Sequence, residues 1–185
     1  DEVGELGIAF NSMASSRKQA EDKIAMDYHI QRVISSILRI FLEPTSLEKQ
    51  LEEVLGLIFS VPYLSLESKG CIFLIEEDPG LLVMKAQHGL SEPLLATCMK
   101  VPFGRCLCGK AASEGEVVFA DSIDDRHEIR FQRMSPHGHL CIPVRSGDRL
   151  LGVINLYVEE GHRRSHEEEV LLTAVADALA GAIKQ

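Results

Sequence analysis

Along residues 1–41 the apolar and small positions recur at Leu6, Phe10, Met13, Ala20 and Ile24, then at Ile30, Ile34, Ile37 and Phe41. Steps of three and four residues predict a helix. The stripe is narrow, interrupted at Arg17 and shifted near Tyr28, which suits a coiled-coil seam better than a helix lying on a broad core. The alternative is one amphipathic helix packed on its own domain. Pro44 stops this helix and Ser46 caps the next, predicted over 47–60 with Leu47, Leu51, Val54, Leu55 and Ile58 on one face and Pro62 beyond its end.

After Pro62 the period changes. "KGCIFLIEE" reads as a strand, "DPG" at 78–80 as a turn and "LLVMKAQHG" as a second strand. A short helix is predicted over "SEPLLATCM", and "GRCLCGKAASEG" mixes glycine with a helix-forming run that ends at Gly115. "EVVFAD" reads as a strand, and the polar stretch 122–135 as an irregular loop or short helical turns. "HLCIPVRSGDRLLGVINLYVEE" is a hairpin around Ser146, Gly147 and Asp148. The last segment is an amphipathic helix capped by Ser165, with acidic residues in its first turn, Lys184 in its last, and Val170, Leu171, Val175, Leu179 and Ile183 on its face. This order predicts an α+β fold: an antiparallel sheet with the terminal helices on one face and a ligand pocket under the middle segments on the other, preceded by a long N-terminal helix. The expected division is 1–41, a helical coiled-coil linker, and 42–185, the α+β domain.

Composition narrows the function classes. The 185 residues carry a formal net charge of −9 and no basic tract, which argues against nucleic-acid binding through a phosphate-tracking surface. No run approaches the roughly 18 apolar residues of a membrane span, and no signal peptide is visible. The chain opens at Asp1 without a methionine, the expectation for a fragment of a longer protein. Five cysteines, an odd number, argue against a disulfide-stapled fold.

Candidate chemistry gathers in two short stretches, "FGRCLCGKAA" (103–112) and "HGHLC" (137–141). In a regular strand Leu140, Ile142 and Val144 share one face, directed at the helices, and His137, His139 and Cys141 share the other, directed at the pocket. Cys106 and Cys108 share a face if extended, and near a helix N-terminus they would favour thiolate. His127 has Asp124, Asp125 and Glu128 nearby to orient its ring. Cys106, Cys108, His127, His137, His139 and Cys141 are therefore the candidate cofactor site, with Cys106, Cys108, His137, His139 and Cys141 as candidate metal ligands. Sulfur and imidazole together suit Zn, Fe or Cu rather than Mg or Ca, although the spacing matches no standard zinc pattern. The competing reading makes the cluster ordinary core and pocket polarity, with Cys71 and Cys98 only packing. His29, His88, His162 and His166 read as surface residues, and "HRRSHEEE" as a solvated helix entry. Arg105, Arg126, Arg130 and Arg133 either meet an anion in the pocket or pair with nearby carboxylates. The glycines of "FGRCLCG" either offer backbone N–H groups to an anionic ligand or simply make a turn.

Two resemblances bear on these features. "DEVGELGIAFNSMASSRKQAEDKI" resembles the second helix of a HAMP domain, through Asp1, Glu2, Gly4, Leu6, Phe10, Asn11 and Met13. Residues 47–185 resemble a GAF domain, through "GCIFLIEED", the hairpin with its G-D-R-L-L-G-V turn and the closing helix. The GAF resemblance implies a small-molecule sensory role; the Cys and His cluster itself points to a small ligand or a metal or haem cofactor (Zn, Fe or haem), and the HAMP-like helix implies transmission without enzymatic turnover. The GAF resemblance also implies a homodimer joined through its N- and C-terminal helices. The parent would be a membrane receptor, the domain lying on the cytoplasmic side of the bacterial inner membrane and reaching the membrane only through absent flanking segments. A histidine kinase or diguanylate cyclase would be the output. The alternatives are a cysteine redox switch (Cys106–Cys108 or Cys106–Cys141), an enzyme like the methionine sulfoxide reductases of related fold, and a purely structural dimerisation module.

Overall fold

The computed structural model describes residues 2–62, 64–132 and 134–183. Asp1, Arg133 and Lys184, which the sequence singles out, lie outside them. Eleven elements follow in order: α1 (Glu2–Ile40), α2 (Leu47–Phe59), β1 (Leu66–Ile75), β2 (Leu81–His88), α3 (Glu92–Cys98), β3 (Lys100–Pro102), α4 (Cys106–Glu114), β4 (Val118–Ala120), β5 (Gly138–Ser146), β6 (Arg149–Val158) and α5 (His166–Ile183). The strands form one antiparallel sheet in the order β3-β2-β1-β6-β5-β4. The α+β expectation holds. The three-residue edge strand β3, too short to show a period, was not predicted.

Local chemistry sets the boundaries. Ser46 caps α2 by accepting the Lys49 N–H at 3.4 Å. At α5, Ser165 Oγ accepts the Glu168 N–H at 3.1 Å while Glu168 Oε2 accepts the Ser165 N–H at 3.2 Å, a reciprocal capping box. Glu168 is buried and also meets His162 Nε2 at 2.9 Å. The solvated helix entry holds for Arg163, Arg164, His166 and Glu167, which are exposed, and is corrected at His162 and Glu168, whose side chains fold in against the domain. The β5–β6 hairpin turns in two residues, with Gly147 at φ +60°, a left-handed conformation that glycine adopts without a Cβ penalty.

The sheet separates two apolar layers. On one side Ile72, Leu74, Leu140, Ile142, Val144, Ile154, Leu156 and Val158 pack with α2, α5 and the end of α1. On the other, Cys71, Phe73, Leu82, Met84, Cys141 and Val153 pack with α4. A register shift opposite Ile72 and Phe73 lets β2 change faces, so Met84 joins the α4 layer and Ala86 the helix layer.

Two predicted helix faces shift. In α1, Val33 and Ile37 are the buried positions, with Ile30, Ile40 and Phe41 packed beside them. The final third of α1 thus lies on α2 and α5, whereas Leu6, Phe10 and Met13 are 70–72% exposed. In α5, Val170 is exposed, and Leu172, Ala176 and Ala180 are buried with the expected Leu171, Val175 and Leu179. Packing against both β5 and α1 demands a wider apolar arc than a seam provides.

Candidate functional site

Strand alternation delivers His139 as predicted: Leu140, Ile142 and Val144 enter the helix layer, and His139 and Cys141 face the other way, while His137 stands just before β5 and does not line the cavity. Between the two histidines stands Gly138. A Cβ there would come within 2.3 Å of the Ala120 carbonyl oxygen, so β4 approaches β5 this closely only because the residue is glycine. The third histidine comes from the 121–137 segment, braced by arginines. Arg126 binds the Asp124 carboxylate and donates to the Phe119 carbonyl at 3.0 Å; Arg130 donates to the carbonyls of His127 at 3.1 Å and Asp124 at 2.7 Å. The braced loop places His127 against β5.

The result is a cluster of three buried imidazoles. His127, His137 and His139 are 3%, 3% and 4% exposed, and one ring nitrogen from each lies within 4.8 Å of the others. His127 Nε2 and His139 Nε2 are 3.1 Å apart. His139 Nδ1 donates to Asn155 Oδ1 at 2.9 Å, and His137 Nδ1 to the Ser135 carbonyl at 2.7 Å. Neither His127 Nδ1 nor His137 Nε2 has a hydrogen-bond partner. Tyr157 stacks on the cluster, its ring 4.3 Å from that of His139 and 4.9 Å from that of His137. Burial pushes the His139 imidazolium down to about 3, and burial followed by the neighbouring His137 lowers His127.

The expected partners of His127 are corrected. No carboxylate orients its ring. Asp124 is taken by Arg126, while Glu128 turns away to α4, accepting the Cys106 N–H at 3.1 Å and Arg105 Nε at 3.0 Å. The N-terminus of α4 is therefore occupied by the protein's own carboxylate rather than open to an anionic ligand. Those contacts, the Cys106 N–H first and Arg105 second, hold Glu128 below the ordinary carboxylate range. Cys106 itself has φ +53°, a sparsely populated conformation for a side-chain-bearing residue. Burial raises its thiol, so the thiolate expected at a helix N-terminus is not favoured.

Cys106 and Cys108 lie in the first turn of α4, not in an extended stretch, and Cys108 Sγ is 3.9 Å from Cys141 Sγ. α4 reaches the sheet through Gly109, where a Cβ would meet the Pro102 carbonyl at 2.2 Å. Among the described residues no thiol belongs to the convergent group of possible ligand atoms. Thus the structure brings His127, His137 and His139 within 4.8 Å of one another, while Cys106 and Cys108 line the same cavity as His127 and His139, and Cys141 Sγ donates at 3.5 Å to the Asn155 Oδ1 that His139 also meets.

A small cavity lies beside the cluster, lined by His127, His139, Cys98, Cys106, Cys108 and Asn155 among others. It encloses about 30 Å³, space for an ion or a water. Cys71 and Cys98, expected only to pack, both line it. Burial raises the Cys71 thiol and pushes that of Cys98 up to about 12. Sequence reasoning missed Asn155, which accepts from His139 and reaches Cys71 Sγ with its amide at 3.7 Å. The signal was present: Asn155 is the one amide in "GVINLY", two residues from Val153 and Tyr157 on the cavity face and level with Cys141.

Antiparallel order, helices on one face and a covered pocket on the other define a GAF-like α+β domain. The profile of the GAF domain matches residues 46–184, and the chain belongs to that family. Protein YtsP of Bacillus subtilis (strain 168) is 28% identical over 116 residues, covering 63% of this chain and 68% of that one. The GAF domain from a phosphoenolpyruvate-protein phosphotransferase (ptsP) of Coxiella burnetii superposes with a TM-score of 0.69 at 21% identity, over 84% of this chain and 92% of that one. Free methionine-R-sulfoxide reductase from Neisseria meningitidis, in complex with its substrate, gives 0.67 at 19% identity, over 84% and 88%. At these identities the two structures share the fold alone. No described helix is long and apolar enough to cross a membrane.

Proposed function

We propose that this GAF domain is a non-enzymatic sensor, which binds a small ligand or metal in the cavity and passes its state to an output domain through dimeric helices. The observation that carries the reading is β5: its successive residues touch both layers, His139 the cavity and Leu140 the core under α5. A change in what the imidazoles hold is thereby one residue from the layer that contains α1 and α5. Occupancy biases two packings of those helices, and differential binding to the two is the signal.

The exposed apolar residues of α1 support a parallel homodimer through that helix and α5. The HAMP-like pattern of 1–24 supports a parent receptor at the cytoplasmic side of a bacterial inner membrane, with a histidine kinase or diguanylate cyclase as output. Disulfide cross-linking of a Phe10→Cys variant tests the reading. The sensor expects the cross-linking rate to change several-fold when His139 is replaced by Gln. Equal rates in the two proteins would leave a structural dimerisation module.

A second reading has one specific observation in its favour. Cys108 and Cys141 are in sulfur–sulfur contact, so a peroxide could oxidise the two thiols to a disulfide, itself being reduced to water. This pair replaces the Cys106 pairings expected from spacing. Retention of the response in Cys108→Ser protein would remove it. Failure to reduce methionine sulfoxide with a dithiol donor would remove the enzyme alternative.

A further inference from the structure

The proton inventory of the three histidines does not close. A neutral imidazole carries one N–H. His137 spends its proton on the Ser135 carbonyl, which can only accept, and His139 spends its own on Asn155 Oδ1. Both Nε2 atoms are therefore lone pairs. If His127 is protonated at Nε2 it serves His139 and leaves a bare Nδ1 buried; if protonated at Nδ1, two lone pairs face each other at 3.1 Å. In neither arrangement does His137 Nε2 gain a partner. Buried polar atoms without partners are rare in folded proteins, and each calls for a reason.

One cation removes the conflict. Around a tetrahedral ion with metal–nitrogen bonds of about 2.0–2.1 Å, ligand nitrogens stand about 3.3 Å apart. His127 and His139 already meet that spacing at 3.1 Å, and the third nitrogen lies inside 4.8 Å. The anchoring of His137 and His139 through Nδ1 to oxygen acceptors is the arrangement that fixes ring orientation in imidazole–metal sites. The 30 Å³ cavity abuts His127 and His139, so a further coordination position has somewhere to open.

We propose that His127, His137 and His139 form a mononuclear site for a divalent transition metal of the Fe–Zn series, with three imidazole ligands and the remaining position open to the cavity. Imidazole suits these ions rather than Mg or Ca. The cavity admits only a water or a ligand of a few atoms there, and its walls of Cys98, Cys106 and Leu94 would exclude a bulky one. The signalling consequence rests on the sensory reading above; the binding itself does not.

The test uses the full chain, untagged, stripped with chelator and titrated with Co²⁺ without oxygen. The expected result is one equivalent per chain, with visible d–d bands, no sulfur-to-metal charge-transfer band, and displacement by Zn²⁺. His127→Gln, His137→Gln and His139→Gln should each weaken binding by more than about 100-fold, beyond the 10–100-fold that loss of an outer partner costs. Cys108→Ser and Cys141→Ser should leave it within a few-fold. Thermal unfolding guards against misfolding: the metal should raise the midpoint of the wild type and of both serine variants, and of none of the glutamine variants that fold cooperatively. Absence of saturable binding, or equal binding by the His127→Gln/His137→Gln double variant, would overturn the site. A charge-transfer band lost in Cys108→Ser would put a thiolate in the set and overturn the three-imidazole assignment. The Phe10→Cys cross-link separates the two readings. Metal binding that leaves its rate unchanged makes the metal a structural pin and removes the sensor; no metal binding, with a rate that still responds to His139→Gln, removes the metal alone.

Discussion

On the helix side of the sheet, Ile72, Ile142, Ile154 and Leu156 pack into one apolar cluster with α2 and α5. One residue away on the same strands, Cys71, Cys141, Asn155 and Tyr157 meet the cavity together with His139. Both sides are equally buried. The helix side is held by volume, where each large side chain contributes about 1.5–3 kcal/mol. The cavity side is held by partners, because a buried polar atom costs more unpaired than it returns when paired. A domain that must fold and also hold something can thus assign the two tasks to opposite faces of one strand.

Truncation separates the two faces most sharply. Ile154→Ala should lose about 2–5 kcal/mol in denaturant unfolding, since α2 and α5 cannot both collapse into the gap. Asn155→Leu, the adjacent residue, adds apolar area yet should lose about 1–3 kcal/mol, because the His139 N–H is left without an acceptor. A leucine there that stabilised the protein would break the comparison and make the cavity face ordinary core.

Alkaline titration sharpens it next. The thiols of Cys71 and Cys141 are raised well above the ordinary range, by burial for the first and by the Cys108 contact and burial for the second. The folded state keeps these protons while the unfolded chain releases them near pH 8.5–9, so stability is level below that range and falls above it. Each fully buried thiol contributes a slope that approaches about 1.4 kcal/mol per pH unit, and Cys71→Ala should remove its share and leave that of Cys141. The helix side carries no comparable group.

Smaller effects test the boundaries of the helix layer. Ser165→Ala should cost about 1 kcal/mol by opening the capping box over Glu168. Phe10→Ser should move monomer stability by no more than about 0.5 kcal/mol, as expected for an exposed position. On the proposed self-association through α1, it should nonetheless raise the dissociation constant measured by sedimentation equilibrium. Equal dissociation constants would leave the exposed stripe of α1 without a role in self-association.

Period and punctuation alone were enough for every element but the edge strand β3, for the hairpin, both caps and the division of β5 into an apolar and a polar side. These are local properties: a strand alternates by its own geometry, and a serine before an acidic helix turn finds its N–H groups within four residues. His137, His139 and Cys141 were legible for the same reason. What lay beyond the sequence depended on segments far apart in the chain. Only the packing of the 121–137 loop decides that His127 joins the histidines while Glu128, the next residue, leaves for α4. Only the approach of α4 to the sheet decides that Cys108 meets Cys141 rather than an imidazole. Asn155 counts as a site residue only because β6 lies beside β5 in that register. Spacing along a chain determines which face a side chain takes; which side chains share that face with it is set by long-range contacts.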